Sequence, residues 1–137
     1  MSRIAGKNTR PERLVRSLIH SMGYRFTIQG PLNRKLPGRP DIVLPKYRTA
    51  IFVHGCFWHR HSGCPDSTTP KTRTSWWRNK FEGNVARDRN AESALQQLGW
   101  SVIVVWECQT DTVLRLKTLR AELAKRLHRQ RNNSLSV

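Results

Sequence analysis

The feature that most constrains this chain is the run from Phe52 to Cys64, Phe-Val-His-Gly-Cys-Phe-Trp-His-Arg-His-Ser-Gly-Cys. It places three His, two Cys and two adjacent large aromatics in one short segment. The fold must therefore end an apolar strand near His54 and then support a long irregular stretch, Gly55 to Thr74, rich in metal-binding and acid/base groups. The rest of the chain narrows the setting. Lys and Arg outnumber Asp and Glu by 25 to 9, a formal charge of +16 over 137 residues. Such a field attracts polyanions, and nucleic acid is the usual partner because each neutralised phosphate releases counterions. The plainer alternative is a solubility surface or ribosome-type basicity. An anionic membrane fits less well, since the sequence has no long apolar run and no signal-peptide pattern. Three Cys cannot all pair internally, and a cytosolic compartment keeps thiols reduced, which leaves metal ligation as their best use.

Residues 1–8 read as a flexible basic arm. Thr9-Arg10-Pro11-Glu12 reads as a capping box, with Thr9 as N-cap and Glu12 at N3, opening a helix that Gly23 ends. Tyr24 to Ile28 is a candidate strand, and Gln29 to Pro40 a basic loop. Asp41 to Leu44 and Thr49 to His54 are strands around a turn. A helix is expected from about Ser75 to Leu98, then a strand of the fully buried kind from Trp100 to Trp106, then a helix from about Asp111 to His128 and a frayed tail over 129–137. The order α-β-β-β-α-β-α describes one α/β domain with a mixed β-sheet flanked by helices.

Cys56, His61 and Cys64 lie within nine positions, and Cys108 follows the last strand. Three thiolates and one imidazole complete a closed tetrahedral shell, so the expected metal is structural zinc; the alternative is three free buried thiols. Asp41 sits where a basic loop enters a strand. A carboxylate there can hold Mg²⁺, which prefers oxygen, and a backbone carbonyl near Val53-His54 at the end of the neighbouring strand is a candidate second ligand. Asp88 falls on the same helical face as Phe81, Val85, Leu95 and Leu98, and a carboxylate aimed inward needs a partner. His59 is one candidate, giving a pair able to take a proton from water. The alternatives are a turn role for Asp41, a surface pairing of Asp88 with Arg87 or Arg89, and a purely capping Glu12. Phe57-Trp58, and Trp76-Trp77 after Lys71-Thr72-Arg73-Thr74, are loop aromatics suited either to stacking on bases or to ordinary packing.

With these residues assembled, the chain resembles the very-short-patch (Vsr) mismatch repair endonucleases of bacteria. The resemblance rests on Leu36 to Asp41, Phe52 to His61, Thr72 to Trp77, Asn84 to Arg89 and Gly99 to Cys108. It implies a restriction-endonuclease-like fold with a structural zinc site, and Mg²⁺-dependent nicking of one strand 5′ to the T of a T:G mismatch left by deamination of 5-methylcytosine. Asp41 then resembles the family's Mg²⁺-binding carboxylate, the Val53 carbonyl its backbone ligand, His59 the base that activates water, and Asp88 its partner. His54 and Glu12 match accessory active-site residues. Cys56, His61, Cys64 and Cys108 match the zinc ligands, and Phe57, Trp58 and Trp77 the aromatics that enter DNA beside the mismatch. The family often has Thr where this chain has Val53, a change a carbonyl ligand survives.

The implied partner is double-stranded DNA with a T:G mismatch, bound by a monomer in the bacterial cytoplasm at the nucleoid, with other mismatch repair proteins as candidate contacts and no membrane. The competing class is a zinc-stabilised DNA-binding module without catalysis, in which Asp41, His54, His59 and Asp88 would be superfluous.

Overall fold

The computed structural model describes residues 9–65 and 67–135. The arm expected over residues 1–8 lies outside the described residues, as do the last two residues of the expected tail. Helix α1 (Arg10–Ser21) starts where the polar signal placed it. The Thr9 hydroxyl accepts the Glu12 N–H at 3.4 Å, and Pro11 occupies the first turn, where no N–H is needed. The helix ends at Met22, and Gly23 follows at φ +85°.

The candidate strand Tyr24–Ile28 does not form. Only Thr27 pairs, in one antiparallel bridge to Val43. The buried side chain of Asn33 takes over the neighbouring bonds: its amide donates to the carbonyls of Thr27 and Pro40, both at 3.0 Å, and its oxygen accepts the Thr27 hydroxyl at 2.6 Å. A side chain that satisfies this backbone replaces the ladder. Asn33 belongs to a short helix α2 (Pro31–Lys35) inside the stretch expected to be loop. The element order is therefore α-α-β-β-α-β-α.

Strands β1 (Ile42–Leu44) and β2 (Thr49–His54) are antiparallel, with Ile42 opposite Ile51; β3 (Ser101–Trp106) runs parallel to β2, with Thr49 opposite Ser101 and His54 opposite Trp106. Helix α3 (Thr74–Gln97) makes the crossover, and α4 (Val113–Leu135) closes the chain. Helix α4 continues past His128 to Leu135, so the residues expected to fray are helical up to that point. The result is a mixed α/β fold, a three-stranded sheet flanked by helices. No helix among the described residues is long and apolar enough to cross a membrane.

Side chains alternate across the sheet, and each face has its own core. Ile42, Leu44, Ile51, Ile103 and Val105 pack with Val15 and Ile19 of α1 and Leu119, Leu123 and Leu127 of α4. Val43, Ala50 and Phe52 pack with Leu95 of α3 and Leu36. The central strand is β2, buried along nearly its whole length. The fully buried strand expected at 100–106 is instead half-covered: only Ile103 and Val105 are buried, because among the described residues β3 has a neighbouring strand on one side alone.

Candidate active site

The site lies at the carboxyl end of β2. Strand β1 begins at Ile42, opposite Ile51, so Val53 has no β1 partner. Its N–H instead donates to Asp41 Oδ2 at 2.7 Å. Within a strand, a residue's N–H and C=O point to the same side, so the Val53 carbonyl faces the same gap as its N–H. Glu12, only 7% exposed, enters from α1 and reaches Asp41 by a side-chain hydrogen bond. Burial pushes the Asp41 carboxyl up to about 7; the Val53 N–H opposes the rise, the Glu12 charge adds to it, the His59 charge opposes it, and the bond to Glu12 adds a smaller push. Glu12 thus serves more than its helix cap. A separation of 29 positions in the sequence hid this contact from any local motif.

His54 is an even-numbered residue of β2 like Phe52, so it projects toward α3. Asp88 meets it there, on the stripe that carries Phe81, Ala91 and Leu95 inward. The expected inward aim of Asp88 holds. Leu98, placed on the same stripe, is 54% exposed because α3 has ended at Gln97. His59 Nδ1 lies 2.6 Å from Asp88 Oδ2, and His54 Nε2 lies 3.9 Å from Asp88 Oδ1. The two imidazoles stack at 4.0 Å with planes 4° apart. Burial, then the neighbouring His59 charge, pushes His54 down to about 4 against the pull of Asp88, so His54 is neutral near pH 7. With Asp88 ionised, the short bond holds a proton on His59 Nδ1. That leaves Nε2 bare and able to accept one.

All five groups line one open cavity of about 900 Å³, with Phe57 and Trp58 at its wall. Trp58 is 40% exposed and rests edge-on against Phe57 at 5.1 Å; Phe57 in turn meets Trp77 at 5.7 Å and Phe81 at 5.1 Å. Phe57 and Trp77 are half-buried and form the base of this ring stack. Trp76, 48% exposed and 4.8 Å from Trp77, stands more open than any of the three. The aromatic pair in the sequence pointed at it without singling it out. The loop is clasped by Arg60, whose guanidinium sits 4.0 Å over Phe81 and donates to the carbonyls of Ser67 and Thr68 at 2.8 and 2.9 Å. One Arg among so many carries no sequence signal of that role.

Cys56, His61, Cys64 and Cys108 converge, with ligand atoms all within 4.8 Å of one another. His61 Nδ1 lies 3.6 Å from Cys56 Sγ and 3.4 Å from Cys108 Sγ. Tetrahedral bonds of ~2.3 Å to sulfur and ~2.0 Å to nitrogen place such atoms ~3.5 Å apart, so the donor set fits a metal of that geometry. Burial pushes the Cys56 thiol up to about 12, and raises Cys108 in the same direction. A dication would invert that preference, since a coordinating thiol is deprotonated. Trp106 stacks on His61 at 4.3 Å and meets His54 edge-on at 5.3 Å, so one indole separates the two clusters.

Paired carboxylates, stacked imidazoles and open rings around one cavity of a strongly cationic chain are the equipment of an enzyme acting on nucleic acid. Comparison with known proteins gives the particular kind. The family model for DNA mismatch endonuclease Vsr matches residues 1–65. The chain is 52% identical over 109 residues to the type II nicking enzyme V.XorIIP of Xanthomonas oryzae pv. oryzae, covering 80% of this chain and 77% of the relative. It is 47% identical over 108 residues to the DNA mismatch endonuclease Vsr of Escherichia coli K12, covering 79% and 67%. It is 41% identical over 130 residues to the type II nicking enzyme V.NmeAIP of Neisseria meningitidis serogroup A, covering 95% and 87%. The chain belongs to the Vsr family of DNA mismatch endonucleases, which removes the reading of a binding module without catalysis.

Proposed function

We propose that this endonuclease is a single domain of restriction-endonuclease-like fold that nicks one strand of duplex DNA 5′ to the T of a T:G mismatch, in the very-short-patch repair of deaminated 5-methylcytosine. One observation carries the reading. Asp41 is anchored on the unpaired end of β2, across the same cavity from a His59–Asp88 pair bonded at 2.6 Å. His59 Nε2 takes a proton from water, the water oxygen bonds to phosphorus, and the bond from phosphorus to the leaving sugar oxygen breaks. Asp88 holds the imidazole in the required tautomer, and neutral His54 packs against its face. Asp41 and the Val53 carbonyl would hold Mg²⁺, an ion that prefers oxygen, with Glu12 beside Asp41 as an accessory residue; when bound, the ion stabilises charge developing on the phosphate.

Cys56, His61, Cys64 and Cys108 would hold structural zinc, tying the loop after β2 to the end of β3. Phe57, Trp58 and Trp77 make the wedge into the duplex. Unstacking a base step costs a few kcal/mol, and a mismatched step is weaker already, so the wedge enters more readily at T:G than at T:A. The protein acts as a monomer in the bacterial cytoplasm at the nucleoid, with other mismatch repair proteins as candidate contacts.

The deciding test is nicking of a labelled T:G duplex with Mg²⁺, beside its T:A counterpart. Asp41→Asn should abolish nicking, and His59→Ala should slow it by roughly 10²–10⁴-fold. Wild-type cutting by Asp41→Asn would move the active site elsewhere.

A further inference from the structure

The cavity poses an electrostatic problem. Five carboxylate side chains line it, against two guanidinium groups, Arg39 and Arg87. A DNA phosphate entering such a space needs a cation facing it in advance. Arg87 is engaged, its Nη2 donating to Asn84 Oδ1. The Arg39 side chain makes no hydrogen bond or ion pair among the described residues.

Arg39 is also held in an unfavourable backbone conformation, at φ +51°, where a residue other than Gly is strained. The chain on both sides explains why the strain persists. Gly38 lies at φ +77° against α3, so closely that a Cβ there would fall 2.5 Å from Ala91 Cβ and 3.1 Å from Phe52 Cζ. The Arg39 N–H donates to the Leu36 carbonyl at 3.0 Å. On the other side Pro40 is buried, and its carbonyl accepts the Asn33 amide at 3.0 Å. The next residue is Asp41. The turn is locked at both ends, and the Arg39 side chain, without a partner among the described residues, places a cation at the cavity rim beside the candidate metal carboxylate.

We propose that Arg39 is a phosphate-binding residue, preorganised to grip the backbone phosphate of the cut strand that borders the scissile one. The planar fork suits a phosphate's two oxygens, and a fixed turn reduces the ordering lost on binding. The strain is then retained for binding. The proposal rests on the placement of the active site given above.

The test uses the full zinc-loaded chain and a T:G duplex, with binding measured without Mg²⁺ so that no strand is cut. Arg39→Asn keeps a side chain that tolerates the left-handed conformation and removes the charge. Its binding should weaken by roughly tenfold at low salt. Its slope of log affinity against log salt, between about 50 and about 200 mM, should be shallower by about 0.9. Its Tm should match or exceed that of the wild type as strain is relieved. Arg39→Lys should keep the slope. A duplex in which a neutral methylphosphonate replaces the bordering phosphate should bind the wild type more weakly, and Arg39→Asn should add no further loss. An unchanged slope, additive losses, or a Tm well below wild type would each overturn the proposal. Asp41→Asn, assayed for nicking alongside, separates the two readings: if it still cuts while Arg39→Asn loses slope, the active-site reading falls and the phosphate contact stands.

Discussion

Removing the charge of Asp41 should stabilise the protein when no Mg²⁺ is present. The carboxyl is pushed from 3.8 to about 7, by burial before anything else, with Glu12 adding a like charge. A group bound more tightly to its proton in the folded state than in the unfolded one supports folding below its unfolded pKa. That support is lost as pH rises from about 4 through about 7. At ~1.4 kcal/mol per pH unit, the rise corresponds to an upper bound of about 4 kcal/mol against the folded state at pH 8. Water in the open cavity screens the pair, and about 2 kcal/mol is the expected effect. Asparagine keeps an oxygen for the Val53 N–H and cannot ionise. Urea unfolding of wild type and Asp41→Asn, zinc-loaded and without added Mg²⁺, should show the variant more stable by about 2 kcal/mol at pH 8, with the gap closing toward pH 4. Adding Mg²⁺ should stabilise the wild type at pH 8 and leave the variant unmoved. A variant equal to or weaker than wild type at pH 8, with no pH trend in the difference, would refute the account of a strained carboxylate pair.

Two further outcomes follow from the other clusters. Cys108→Ser should lose one equivalent of zinc, read by metal analysis, and should melt well below wild type, because structural zinc contributes on the order of 10 kcal/mol in small domains; well-folded wild-type protein free of zinc would contradict this. Trp58→Ala should keep its melting temperature to within a few degrees, since the ring is 40% exposed, yet cut T:G far more slowly while its non-specific DNA binding, supplied by Lys and Arg, barely changes.

The amino-acid sequence by itself determined the elements whose signals are local. Thr9 and Gly23 bracket α1, β2 and β3 are read from their apolar runs, and the crossover helix is read from its spacing. The Cys56-His61-Cys64 cluster and the inward face of Asp88 were legible for the same reason: each depends on residues one loop or a few helical turns apart. The resemblance carried by Phe52 to His61 named the family. What the tertiary structure alone decided depends on groups distant in sequence. Whether Tyr24–Ile28 becomes a strand turns on Asn33 capturing its hydrogen bonds. Whether β3 is buried turns on its place at the edge of the sheet. Glu12 reaches Asp41 because Val15 and Ile19 pack α1 against Ile42 and Ile51 of the sheet, and His54 faces Asp88 because an even-numbered position on β2 points to the face that α3 covers. Pairings of this kind arise from packing, which brings together groups that no local pattern relates.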